Sequence, residues 1–197
     1  MTVLGIILAG GLARRMGGQD KAFLSLDGAP LLDRALVRLG PQVEALAINS
    51  NAQAARFAGY APALVPDLDD SRAGPLAGVL AGLTHAEAVG ASHVVTVAVD
   101  TPFFPLDLVQ RLRAAAQEQS MPLACAATGE RTHPVFGLWP VALRADLAQT
   151  LASGERKVDR WTGRHGCAVA RWGAEPFDPF FNVNTPEELA EAERLVS

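Results

Sequence analysis

The chain has 197 residues, 49% of them hydrophobic and 19% charged, which is enough for a sizeable core and excludes a disordered chain. A formal net charge of −4 speaks against general nucleic-acid binding, no apolar run approaches the length that spans a bilayer, and two cysteines without metal-ligand spacing suggest neither a disulfide framework nor a zinc site. The expectation is one domain over residues 1–197, in the cytoplasm, with no membrane or nucleic-acid partner, since the N-terminus shows no signal-peptide pattern.

The first predicted strand is the apolar run Leu4–Ala9, which breaks at Gly10 and Gly11. Arg14, Arg15 and Lys21 follow, interleaved with Gly17 and Gly18. Glycine lets successive backbone amides approach a ligand and enclose an anion, and the cations would neutralise a polyphosphate. This loop is therefore a place for phosphate. It is not a Walker loop, because Gly17, Gly18, Gln19, Asp20, Lys21 and Ala22 lack that spacing, nor is Gly10-Gly11-Leu12-Ala13 a dinucleotide fingerprint.

Apolar spacing then predicts an amphipathic helix over Pro30–Leu39 and a second strand over Val43–Ile48 that runs into Asn49, Ser50 and Asn51, giving a right-handed β-α-β unit. A short helix at Ala52–Phe57 and a strand at Ala63–Val65 lead to Asp67. The helix Pro75–Glu87 carries Gly74, Gly78 and Gly82 along one face, where the sheet or a ligand lies close. His93–Val99 is the strongest strand and ends in Asp100-Thr101-Pro102. Beyond it, helices are expected at Pro105–Gln119, Val141–Ala152 and Arg156–Arg164, and strands at Leu123–Ala127, Val135–Trp139 and Ala168–Trp172. Gly129–Pro134, GERTHP, reads as a polar turn, and Thr185, Pro186 and Glu188 as a capping box that starts a C-terminal helix. The alternation indicates an α/β, three-layer, doubly wound, mostly parallel sheet.

In such a sheet ligands sit beyond the carboxyl ends of the strands, which gathers the glycine loop, Asn49, Asp67 and Asp100 around one crevice. Asp100 reads either as a magnesium ligand beside a triphosphate or as a turn residue ahead of Thr101 and Pro102. Asn182 and Asn184 alternate about Val183 and would face the same way, offering an amide oxygen to a metal or contacts to a second substrate. His133 in GERTHP and Arg156 in GERKV are either solvated or substrate contacts.

LAGG at Leu8–Gly11, RRMGG at Arg14–Gly18, GPLAG at Gly74–Gly78, DTP at Asp100–Pro102 and NVNTPEEL from Asn182, in that order, resemble the molybdenum cofactor guanylyltransferase (MobA) family of the pyrophosphorylase-like nucleotidyltransferases. The resemblance implies a Rossmann-like nucleotidyltransferase fold and Mg²⁺-dependent transfer of GMP from GTP to the phosphate of molybdenum-molybdopterin, with release of pyrophosphate. It implies a nucleotide-binding half over residues 1–104 and a pterin-acceptor half over residues 105–197. Asp100, Lys21 and Arg15 would carry the chemistry, with Asp100 and Asn184 on the metal. Leu8, Ala9, Gly10, Gly11, Lys21, Asn49, Asp67 and Asp100 would bind the nucleotide, and Asn182, Asn184, His133 and Arg156 the pterin. Transient contact with cofactor-inserting or molybdoenzyme partners would follow. A related enzyme using another base or acceptor, or a non-catalytic protein that binds and delivers the cofactor, remains the alternative. The LAGG spelling implies guanine, because a second glycine removes a Cβ where the backbone approaches the base.

Overall fold

The structure is a computed structural model that describes residues 1–10, 12–13, 19–68 and 74–196. The main elements follow in the order β1 (Val3–Leu8), α1 (Leu31–Leu39), β2 (Ala45–Asn49), β3 (Ala63–Val65), α2 (Pro75–Ala88), β4 (His93–Ala98), α3 (Leu108–Glu118), β5 (Leu123–Thr128), β6 (Arg131–Pro140), α4 (Arg144–Ala152), α5 (Val158–His165), β7 (Cys167–Trp172) and α6 (Pro186–Val196). The seven strands form one sheet in the order β7-β5-β6-β4-β1-β2-β3. Every pairing is parallel except those of β6, which runs antiparallel to both β4 and β5. This is the expected α/β fold, a mostly parallel sheet between helices.

The alternation along β1 shows why its sequence is apolar throughout. Val3 and Ile7 face a core shared with Leu32 of α1, Leu112 of α3 and Ala192 of α6. Leu4 and Ile6 face the other core, with Val79 and Leu83 of α2, Leu147 of α4 and Trp161 of α5. A strand buried on both faces cannot alternate apolar with polar residues, so its run is continuous. Helix α2 lies close against the sheet because two of its residues lack side chains. A Cβ on Gly82 would stand 2.8 Å from Ile6 Cγ1, and one on Gly78 would stand 2.6 Å from Leu8 Cδ2 and 2.5 Å from Asn49 Oδ1. The glycine face thus meets the sheet at one end and the floor of the functional cleft at the other.

The second half departs from expectation at GERTHP. The turn is confined to Gly129 and Glu130, and β6 already begins at Arg131. Its register against β5 passes from His133↔Ala126 to Gly137↔Cys125, so Pro134, Val135 and Phe136 bulge out of the ladder. Bulges bend a strand and re-aim its side chains. Thr96 of β4, fully buried, anchors this one: its hydroxyl donates to the Val135 carbonyl at 2.5 Å and accepts from Trp139 Nε1 at 2.9 Å. His133, expected in a polar turn, is only 8% exposed as a result. The two cysteines, far apart in sequence, lie on the adjacent strands β5 and β7 and are free thiols. Among the described residues no helix is long and apolar enough to cross a membrane.

Candidate active site

A cleft of about 880 Å³ opens over the carboxyl ends of the parallel strands. Leu8, Ala9 and Gly10 at the end of β1, Asn49 at the end of β2, Asp67 beyond β3 and Asp100 beyond β4 all line it, as the strand-end rule predicts. The opposite wall is the bulged start of β6, Arg131 to Phe136, together with Asn182.

Lys21 lines the cleft, and the residue before it sets its position. Asp20 is buried; its Oδ1 accepts from the Ala22 amide at 3.2 Å, capping the short 3₁₀ turn Lys21–Phe23, and its Oδ2 lies 3.3 Å from Arg56 Nη1. From the first position of that turn Lys21 Nζ stands 2.7 Å from Asp100 Oδ2 and also donates to Asn184 Oδ1. The segment bearing Asn184 is stitched across the end of β4: the Val183 amide donates to the Asp100 carbonyl at 2.8 Å, and Asn182 Oδ1 accepts from the Thr101 hydroxyl at 2.7 Å. The capping box of α6 is present, with the Glu188 amide 3.2 Å from Thr185 Oγ1 and the Thr185 amide 3.0 Å from Glu188 Oε2. That same carboxylate oxygen also accepts from the Asn184 amide at 2.7 Å. A helix start that reads as purely structural therefore also fixes the backbone of Asn184, which does not itself line the cleft but whose side chain bonds the cleft residue Lys21.

Asn49 and Asp67 share the cleft as expected and bond each other directly, and a third residue that the sequence did not mark as functional, Asn51, also holds Asp67. Asn49 Nδ2 donates to the Val65 carbonyl at 3.0 Å and to Asp67 Oδ1 at 2.9 Å. Asn51 Nδ2 donates to Asp67 Oδ2 at 2.8 Å and takes the Asp67 amide on its own Oδ1 at 2.8 Å. The Asp67 carboxylate is thereby held from both sides. An Asn two residues after a strand-end Asn was visible in the sequence, but its partner lies 16 residues away.

His133 lines the far wall, its ring stacked on Phe180 with centroids 4.5 Å apart and planes at 20°. Its Nε2 lies 3.1 Å from Thr128 Oγ1, and that hydroxyl is 2.9 Å from Asp178 Oδ1. Burial, with a smaller contribution from the charge of Arg131, holds its pKa below the ordinary histidine value, against the pull of Asp178. Arg131, not singled out from the sequence, lines the same wall.

The remaining expected residues are not brought into this group. Arg156 is not among the cleft-lining residues; its guanidinium is turned onto the Leu151 carbonyl at 2.6 Å and the Glu155 carbonyl at 3.0 Å, closing the end of α4. Helix α5 starts later than its periodicity suggested, at Val158, which leaves Arg156 in that connection. Arg15 and Gly11 lie outside the described residues.

The oxygens of Asp100 and Asn184 converge on one cation, the Lys21 ammonium, so the pair is a seat for positive charge built from hard donors. Among the described residues no group of three or more His, Cys, Asp or Glu gathers that could hold a metal by itself. A divalent ion seated here would complete its shell with phosphate oxygens and water, the usual way Mg²⁺ is bound, and the donor set fits that ion.

A family model described as the MobA-like NTP transferase domain matches residues 5–169. A protein from Bradyrhizobium sp. (strain ORS 278) named molybdenum cofactor guanylyltransferase is 52% identical over 99% of this chain and 93% of its own length. One of the same name from Cereibacter sphaeroides is 51% identical over 100% of this chain and 98% of its own length. Among solved structures, molybdopterin-guanine dinucleotide biosynthesis protein A from Archaeoglobus fulgidus superposes with a TM-score of 0.77 at 24% identity, covering 99% of this chain and 98% of that one, a likeness of fold.

Proposed function

This chain belongs to the MobA-like NTP transferase family and is a nucleotidyltransferase of molybdenum cofactor biosynthesis, and from that premise we propose that it transfers GMP from GTP to the phosphate of molybdenum-molybdopterin. The observation that carries the reading is the cluster of Lys21, Asp100 and Asn184, three side chains from distant parts of the chain converging where the strand ends face an open cleft.

The chemistry asks for alignment and charge rather than for a protein base. A phosphate monoester has a second pKa of about 6, so the acceptor is largely dianionic near neutral pH and needs no proton removed. One of its oxygens attacks the α-phosphorus of GTP, the bond from that phosphorus to the bridging oxygen breaks, and pyrophosphate leaves with the bonding pair. Two anions must be brought together, and the developing charge must be met by fixed cations and dipoles. Lys21 supplies a cation to the triphosphate, and Arg15, six residues earlier in the sequence, is assigned the same role. Asp100 and Asn184 would hold Mg²⁺, which when bound neutralises phosphate charge. Asn49 and Asp67, bonded to each other, with Asp67 held also by Asn51, offer side-chain amide and carboxylate groups to the nucleoside. Leu8, Ala9, Gly10 and Gly11 meet base and sugar through the backbone, although the Leu8 carbonyl already accepts from the Val99 amide at 3.2 Å and the Ala9 amide already donates to the Asn49 carbonyl at 2.8 Å. Asn182 and His133 belong to the pterin side.

The test is pyrophosphate release by the purified protein with Mg²⁺, molybdopterin and either GTP or CTP. Guanine dinucleotide product with a clear preference for GTP is expected. Equal kcat/KM for the two nucleotides would remove the guanylyl assignment, and binding of GTP without any release of pyrophosphate would favour a cofactor-delivery protein.

A further inference from the structure

Two cations line the cleft among the described residues, and they stand in different situations. Lys21 is held between Asp100 and Asn184. Arg131 is exposed in the cleft wall; its backbone pairs with Thr128 in the β6–β5 ladder, while its guanidinium takes part in no ion pair or hydrogen bond with any described residue. A cation left without a partner inside a cleft is a seat for an anionic group of a ligand, and a guanidinium offers the planar fork that a phosphate accepts in two places.

Its place in the sheet says which anion. In the order β6-β4-β1 the end of β4, with Asp100, separates Leu8, Ala9 and Gly10 at the end of β1 from the start of β6. Phosphoryl and nucleotidyl transfer set the attacking and leaving oxygens roughly in line across the reacting phosphorus. If the triphosphate lies on the Lys21 side, its pyrophosphate departs toward β1 and the attacking phosphate must arrive from the side of β6, where Arg131 stands.

The surroundings support an anion at that point. Arg131 and His133 are two apart on one strand, ahead of the bulge, and so project to the same side. Thr128 has a single hydroxyl proton; given to Asp178, it leaves the Thr128 oxygen to accept from His133 Nε2–H, so the neutral ring turns its unprotonated Nδ1 away from Thr128. The ring is fixed by this chain and by stacking on Phe180, which leaves Arg131 as the adaptable, charged member of the pair. The acidic residues that line the cleft are already engaged: Asp100 with Lys21, Asp20 with Arg56, and Asp67 with Asn49 and Asn51.

We propose that Arg131 binds the phosphate of the acceptor substrate and sets its affinity, while the nucleotide is bound without it. This rests on the transferase reading given above. It is tested by steady-state transfer with the Arg131→Gln and Arg131→Lys variants, varying molybdopterin and GTP separately, alongside calorimetry of molybdopterin binding in the absence of nucleotide. The expected result for Arg131→Gln is a KM for molybdopterin raised about tenfold or more, a KM for GTP within about twofold of the parent, and partial recovery in Arg131→Lys. Thermal unfolding should be unchanged, since the substitutions leave the backbone pairing of Arg131 intact and its side chain bonds no described residue. An unchanged KM for molybdopterin, or an equal rise in both KM values, would overturn the assignment. If the parent protein fails to transfer GMP, the transferase reading falls, and the calorimetric arm still decides Arg131: unchanged molybdopterin affinity in Arg131→Gln overturns its role, and a tenfold loss retains it.

Discussion

Substituting Gly78 with alanine should couple stability to nucleotide binding, and the neighbouring glycine provides the control. A Cβ at Gly78 would stand 2.5 Å from Asn49 Oδ1 and 2.6 Å from Leu8 Cδ2, so an ordinary contact of 3.4 Å requires Asn49 to retreat by about 0.9 Å. Asn49 is buried, and its Nδ2 bonds to the Val65 carbonyl at 3.0 Å and to Asp67 at 2.9 Å. Those two bonds cannot both survive such a shift. Overpacking costs about 1–3 kcal/mol and loss of a hydrogen bond to a carboxylate about 1.5–3 kcal/mol, while exchanging glycine for alanine within a helix returns about 1 kcal/mol. The net is a destabilisation of about 1.5–5 kcal/mol, or a fall in Tm of about 3–20 °C at this chain length. Gly82→Ala meets apolar side chains alone, Ile6 Cγ1 at 2.8 Å most closely, strands no polar group, and should cost about 0–2 kcal/mol. Urea unfolding measures both variants, and calorimetry with GTP and Mg²⁺ measures their binding. Weakened GTP binding is expected for Gly78→Ala alone; a destabilised Gly78→Ala protein that binds GTP as the parent does would refute the place given to Asn49.

Lys21→Ala should weaken GTP, ATP and CTP alike by about 1.5–3 kcal/mol, because a contact to phosphate carries no information about the base; a loss confined to guanine would count against it. Asp100→Ala should unfold at the parent's temperature, since the link to Val183 uses the Asp100 backbone, yet lose nearly all transfer activity; near-parental turnover at limiting Mg²⁺ would contradict the role given to the carboxylate. Thr96→Val removes the hydroxyl that serves both the Val135 carbonyl and Trp139 Nε1, and should cost about 1–3 kcal/mol for each buried group stranded; an unchanged urea midpoint would show that the bulge is held by something else. His133, depressed mainly by burial, and His93, depressed by burial with the N-terminal ammonium and Arg113, both fold as neutral rings. Above the unfolded-chain value of about 6.5 neither costs anything, whereas below it the unfolded chain takes up protons that the folded protein resists, so stability falls as pH drops through 6.5 and then through the folded values. His133→Asn should lessen that decline between pH 7 and pH 5, and parallel stability curves for parent and variant would show that His133 titrates normally.

The sequence by itself determined the fold class and the strand-end side of the cleft. Runs such as Leu4–Ala9 and His93–Val99 can only be strands buried on both faces, and the polar residues that stop them, Gly10, Asn49, Asp67 and Asp100, stand at strand ends in the structure and line the cleft. Local pattern sufficed there because strand ends and ligand sites coincide in parallel sheets. The capping box at Thr185 was legible for the same kind of reason, its hydrogen bonds closing within a few residues. Only the tertiary structure decided the far wall. GERTHP is polar enough to read as a turn, yet pairing with β5 and the anchor at Thr96 draw it into a strand, bury His133 and stand Arg131 in the cleft. Arg156 carries the same charge as Arg131 and sits in a similar polar setting, but its guanidinium closes the end of α4. The two arginines differ in what surrounds them at long range, which local periodicity does not encode: one finds backbone carbonyls to bond and the other finds an open cleft.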